Sequence, residues 1–225
     1  MVRRGLAQDA GPDGRERRVT TPKADFKKTY RELYSAGPEP ALVRAPELPY
    51  LMIDGMGDPD SAPGYASAVE ALYAVAYTIR FALKGAGVVE YPVMPLQGQW
   101  WTDEDHRSDY AAHRDQWRWT MMIMQPPQAD GAMFDAAVAT ARKKKPSAPI
   151  DRVRLETLHE GWCGQILHVG PYSTEAATVG RLHAFLEEGG HAINGRHHEI
   201  YLSMPGRTAP EKMKTIIRYP VTPAG

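Results

Sequence analysis

ILHVGPYSTEAATVGRLHAFLEEGGHAINGRHHEIYLSMPGRTAPEKMKTIIRYPV, residues 166–221, decides the fold. It opens on a short apolar run stopped by Gly170-Pro171. A helical pattern follows over residues 174–190, with Ala177, Leu182, Phe185 and Leu186 as its apolar side. Thr174 is placed to cap it and Gly189-Gly190 to end it. HHEIYLSMP and KTIIRYPV then alternate β-branched or aromatic residues with polar ones, as half-buried strands do. The order is strand, helix, strand, strand.

The same order occurs earlier. MIDGMGDP (52–59) is followed by a helical pattern over 67–85, with Val69, Leu72, Tyr73, Ala76, Ile79, Phe81 and Leu83 at compatible spacing. VVEYPVMP (88–95) and WRWTMMIMQP (117–126) read as the two strands after it. The repeat predicts an α+β fold of duplicated β-α-β-β modules forming a curved antiparallel sheet, with helices on one face and a central ligand cleft. The helices would cover one face, and the polar residues of HHEIYLS would line the other, open one. The halves span about 41–128 and 150–222, joined by a helix over 130–145, within a domain covering 25–222 that begins with a short helix at 25–34. Residues 1–24 are polar and charged, and read as a disordered leader.

Composition removes several functions. In 225 residues, 27 basic and 27 acidic side chains cancel, so no long-range positive field favours direct nucleic-acid binding. The basic run Arg142–Lys145 suits a helix C-terminus. The single cysteine, Cys163, allows no intramolecular disulfide, and fits burial and a cytoplasmic setting. No apolar run reaches the roughly 20 residues that span a bilayer, and no membrane partner is expected. Eight histidines include no HExxH, and adjacent His197-His198 point to opposite strand faces, so no metal is expected. The glycines at 85–87 form no phosphate-binding fingerprint, so no nucleotide cofactor is expected either.

The candidate site starts from period two. His198, Ile200 and Leu202 share one strand face, while His197, Glu199, Tyr201 and Ser203 share the other. A carboxylate beside a tyrosine suits a cation or a polarised donor. Trp100, Trp101, Trp117 and Trp119 crowd one interval and offer flat contact area. In WRWTMMIM, Trp117, Trp119, Met121 and Ile123 face one way, and Arg118, Thr120, Met122 and Met124 the other. Methionines such as Met122 make an adaptable lining.

MPLQGQWW (94–101), WRWTMMIMQPP (117–127), EGWCGQILHVGPYSTE (160–175), HHEIYLS (197–203) and PEKMKTIIRYPV (210–221) together resemble the GyrI-like small-molecule-binding family, above all its stand-alone bacterial branch. The resemblance covers about residues 25–222 and implies two β-α-β-β modules with a cleft between them. Its members include DNA gyrase inhibitory proteins and the ligand-sensing domains of multidrug-responsive regulators. Some stand-alone members hydrolyse the cyclopropane of DNA-alkylating natural products. By this resemblance Glu199 is the pocket glutamate and Tyr172 its catalytic companion. Trp100, Trp101, Trp119 and Tyr201 are lining groups. Two departures stand out: Gln97 where relatives carry PLEG, and Met204 where they carry an aspartate after YLS.

The implied function is binding of a hydrophobic or aromatic small molecule by a monomer or homodimer. Turnover stays open at this point. If the chain is an enzyme, it is a cofactor-independent hydrolase that opens the ring with water. The alternatives are a drug-sequestering protein without chemistry, and a protein inhibitor resembling the gyrase inhibitory members.

Overall fold

A computed structural model describes residues 21–103, 110–203 and 206–223, with side chains left out for 110–112. Most of the expected leader, residues 1–20, lies outside the described residues, as does Met204. Residues 22–24 are paired: the backbone N–H of Ala24 donates to Glu90 O, and that of Glu90 to Pro22 O.

Two helical turns, α1 (Phe26–Thr29) and α2 (Arg31–Tyr34), replace the single short helix expected there. The strands β1 (Ala41–Ala45) and β2 (Leu48–Met56) lead to the long helix α3 (Pro63–Gly85). β3 (Leu96–Trp101) and β4 (Arg118–Met124) complete the first module. The stretch 88–95, expected as a strand, is not one. Pro92 and Pro95 carry no N–H for a ladder, so β3 starts only at Leu96. The helix α4 (Gly131–Lys144) follows, capped by Asp130, whose side chain accepts from Met133 N at 2.8 Å.

The second module holds β5 (Arg154–Leu158), β6 (Gly161–Val169), α5 (Glu175–Glu188), β7 (His191–Ile193), β8 (His197–Tyr201) and β9 (Lys214–Pro223). Thr174 does not cap α5 with its side chain; its hydroxyl donates to Pro171 O at 2.9 Å instead.

Strand order is β1-β6-β9-β8-β3-β4-β2-β5, all antiparallel, with β7 added to β9 off that path. Exchanging β1 with β5, β2 with β6, β3 with β8 and β4 with β9 reverses this order onto itself. The duplication read from sequence is therefore a two-fold relation, and its seam is the β3–β8 pairing. β1 precedes β2 by two residues yet pairs with β6 in the other module, and β5 precedes β6 by two residues yet pairs with β2. Each connection ties one end of the strand order to the other, so the sheet curls toward a barrel.

The curl gives the sheet an inner and an outer face. Inside lie Met52, Met122, Ile200 and Ile216 in register across four strands. Outside lie α3 and α5. Ala68, Ala71, Leu72, Val75, Ile79 and Leu83 form the packed side of α3. Leu182 and Leu186 of α5 pack on Ile166, Ile217 and Val221. α3 is the one segment among the described residues long and apolar enough to cross a membrane, with a mean hydropathy of 1.2 over its best window. That corrects the expectation that no such run exists, although its most apolar side is committed to the sheet.

Gly55 shows how tightly the outer face is packed. A Cβ there would sit 2.0 Å from the Trp119 ring, itself 1% exposed. Gly55→Ala is expected to lower stability by about 1–3 kcal/mol, through displacement of that ring, read as an earlier thermal transition.

Candidate functional site

The site lies on the seam between the modules. Register sets Glu199 opposite Gly98 and His197 opposite Trp100, and all four face the outer side. Gly98 is required here, because a Cβ would lie 2.8 Å from Trp100 Nε1 and 2.9 Å from the Tyr201 hydroxyl. Over this floor come the first turns of the two helices. Tyr65 enters from α3 and Glu175 from α5, and Tyr172 stands just before α5.

Aromatic groups surround Glu199 on these sides. Trp100 stacks on Tyr65, with ring centroids 6.2 Å apart, and meets the Trp117 edge at 5.6 Å. Tyr172 and Tyr201 meet edge to face at 6.0 Å. Such pairs contribute about 0.5–1.5 kcal/mol each beyond burial and hold the rings rigid. Trp100 Nε1–H donates to the Tyr201 hydroxyl oxygen at 3.0 Å, which leaves the Tyr201 proton to donate elsewhere. Burial, and after it the charge of Glu199, push the hydroxyls of Tyr65, Tyr172 and Tyr201 well above the ordinary tyrosine range. All three are donors at any physiological pH.

Glu199 has two polar neighbours of its own. His197 Nε2 lies 2.8 Å from Glu199 Oε1, and His197 Nδ1 lies 2.7 Å from the Tyr219 hydroxyl. The side chains of His197 and Glu199 are 16% and 12% exposed. Glu175 is 8% exposed, and its Oε1 is buried without a hydrogen-bond partner. Burial, then the Glu199 charge and a hydrogen bond between the two carboxyl groups, hold Glu175 far above the carboxylate range. Burial and the neighbouring charge thus favour the neutral form of Glu175. Two surface concavities lie elsewhere, beside Ser35 and Leu42 and beside Lys28 and Pro92, and neither includes a residue of this cluster.

The sequence expectations fare unequally. Glu199, Tyr172, Tyr201 and Trp100 come together. Trp119 lies behind them, buried, with its Nε1–H donating to Gly57 O at 3.2 Å and its ring against Tyr65. Trp101 points away and lies under the Arg196 guanidinium, 3.5 Å from the ring centre. Gln97 and Met122, 1% and 0% exposed, sit on the inner face, on the other side of the sheet from this cluster. Gln97 donates to the Tyr34 hydroxyl at 3.0 Å and meets His198 Nε2 with its Oε1 at 3.0 Å. The exchange of a carboxylate for Gln97 therefore alters the interior rather than the surroundings of Glu199. The polar face of HHEIYLS also lies on the helix-bearing side, in the gap between α3 and α5, and not on a helix-free side.

Glu175 and His197 stand beside Glu199, and the sequence reading singled out neither as a site residue. Glu175 reads as an ordinary acid at a helix start, where it suits the dipole. Its one sequence signal is its place three residues after Gly170-Pro171-Tyr172. Tyr172→Ala removes a ring that is 40% exposed and is expected to weaken binding of an aromatic ligand about tenfold. Trp101→Ala should change it less than twofold, and fluorescence titration of both variants checks the pair.

Known proteins resemble this chain in sequence and fold. An uncharacterised conserved protein from Listeria innocua is 42% identical, with a TM-score of 0.82, over 88% of this chain and 99% of its own. A hydrolase from the same organism is 40% identical, with a TM-score of 0.81, over 89% of this chain and 100% of its own. The EcmrR C-terminal domain shares the fold at 12% identity and a TM-score of 0.50, over 82% of this chain and 97% of its own. No curated protein matches the chain. The model of the GyrI-like small molecule binding domain matches residues 38–222, nearly the whole described fold, and the chain belongs to the GyrI-like family.

Proposed function

We propose that the groove over the β3–β8 seam binds strained, electrophilic aromatic compounds and opens them with water. The observation that carries this reading is one carboxylate, Glu199, set among aromatic rings whose hydroxyls remain protonated. The 40% identity to a hydrolase over almost all of both chains supports it.

For a cyclopropane conjugated to a carbonyl, the step balances without a cofactor. Water attacks the ring CH2 and its proton passes to Glu199. A new C–O bond forms as the cyclopropane C–C bond breaks. The released electron pair moves through the conjugated system to the carbonyl oxygen, where a tyrosine hydroxyl donates as negative charge builds. The hydrogen bond from Trp100 Nε1–H to the Tyr201 oxygen supports Tyr201 in this role, since it leaves the Tyr201 proton to donate.

Tryptophan fluorescence and product analysis test the reading together. Purified protein should show saturable quenching by cyclopropanoid aromatics and accelerate formation of the ring-opened alcohol. Saturable binding without acceleration would leave a sequestering protein. No saturable binding by folded protein would overturn the groove itself.

A further inference from the structure

The same floor holds a second chemistry that does not depend on which organic compounds enter the groove. One nitrogen of His197 and one oxygen each of Glu175 and Glu199 lie within 4.8 Å of one another. Zinc bound at about 2.1 Å in a tetrahedron holds its ligand atoms roughly 3.4 Å apart. That spacing falls between the 2.8 Å from His197 to Glu199 and the 4.8 Å limit of the group. Small side-chain rotations suffice to reach it.

Two further observations point to a cation. Glu175 Oε1 is buried with no partner, which is costly for a group able to accept strongly. His197 is also held as metal-binding histidines are held. Its Nδ1 is 2.7 Å from the Tyr219 hydroxyl oxygen, so once Nε2 gives up its contact with Glu199 to a cation, the imidazole proton has an acceptor on the Nδ1 side. One imidazole with two carboxylates matches zinc and its neighbours in the first transition row. Calcium and magnesium favour sites built from oxygen alone.

We propose that Glu175, His197 and Glu199 form a binding site for one divalent transition-metal ion of the zinc class, with its remaining positions left to water. The ion brings positive charge between the two glutamates and satisfies the orphaned Glu175 oxygen. Tyr219 is a positioning residue that sets the tautomer of His197.

Chelator-stripped full-length protein, titrated calorimetrically with zinc chloride, tests this directly, and cobalt(II) absorption reports the coordination sphere. One zinc per chain is expected, with visible cobalt bands of a low-coordinate site. Glu175→Gln and His197→Ala should each weaken zinc uptake at least tenfold. Tyr219→Phe should weaken it tenfold to a hundredfold and shift the cobalt bands. His159→Ala, an exposed histidine beside Glu47, should leave uptake unchanged. Circular dichroism confirms that each variant is folded. Absence of saturable zinc uptake by the folded wild-type chain, or uptake undiminished in folded Glu175→Gln, overturns the site. Ring opening is assayed with chelator present, so either reading can fail without the other.

Discussion

Glu199→Gln is expected to slow cyclopropane opening by about a hundredfold to ten-thousandfold, the usual loss when a positioned base is removed. The amide keeps the shape of the carboxylate and an oxygen that can still accept from His197, so the seam between the modules stays packed. What it loses is the capacity to take a proton from water. Affinity for a neutral aromatic ligand should change only severalfold, because Tyr65, Trp100, Tyr172 and Tyr201 are untouched. The rate constant therefore falls while the dissociation constant hardly moves. A variant that binds and turns over like the wild type would remove Glu199 from the chemistry.

Glu160→Gln is expected to cost about 3–5 kcal/mol of stability, the range for breaking a buried ion pair by loss of one partner. For a domain of this size that is a fall of roughly 10 °C in the unfolding midpoint. Glu160 sits in the turn between β5 and β6 with its side chain 4% exposed. Its Oε1 lies 2.8 Å from His198 Nδ1, and its Oε2 lies 3.5 Å from Arg218, whose side chain is 1% exposed. Arg218 also donates to Gln165 Oε1 and Leu33 O. With glutamine at 160, its buried charge would keep only such neutral acceptors.

The pH dependence follows from the same contacts. Burial alone would raise the Glu160 pKa, but His198, Arg218 and Gln99 outweigh it and bring it to about 2 from an ordinary 4.5. The unfolded chain therefore takes up this proton before the folded one does. Stability from Glu160, on the order of 3 kcal/mol, is present above about pH 4.5 and is lost as pH falls toward 2. Acid titration of wild type and Glu160→Gln should show the wild type losing the steeper increment across that window. Parallel curves would contradict the assignment.

Local pattern carried much of this arrangement. Period two in HHEIYLS put Glu199 and Tyr201 on one face, and the repeated order of elements gave the two modules. The same alternation in QGQWW separates Gln97 and Trp101 from Gly98 and Trp100, and in WRWTMMIM it separates Met122 from Trp119. The structure follows it at every one of these positions. Strand geometry therefore told which residues share a face, and position within a resembling motif did not. The meeting of Glu175 with Glu199 was not legible, because 23 residues, the body of α5 and the strand β7 intervene and only the β3–β8 seam brings the helix starts over it. Which side of the sheet would be filled was also hidden. It depends on β1 and β5 reaching past their own modules, and no local propensity encodes that reach.

That reach constrains how such a chain can be divided or built. Each half lends its outermost strand to the other, so a half released alone would keep a strand with no edge to complete and expose the edge that strand should receive. Two copies of one half could satisfy both needs only by trading arms, as in a swapped homodimer. A covalent tandem of these units is that dimer made permanent. It also allows an asymmetric site on a symmetric frame: once two copies are joined, an acid can be kept on one side of the dyad, with only a glycine facing it.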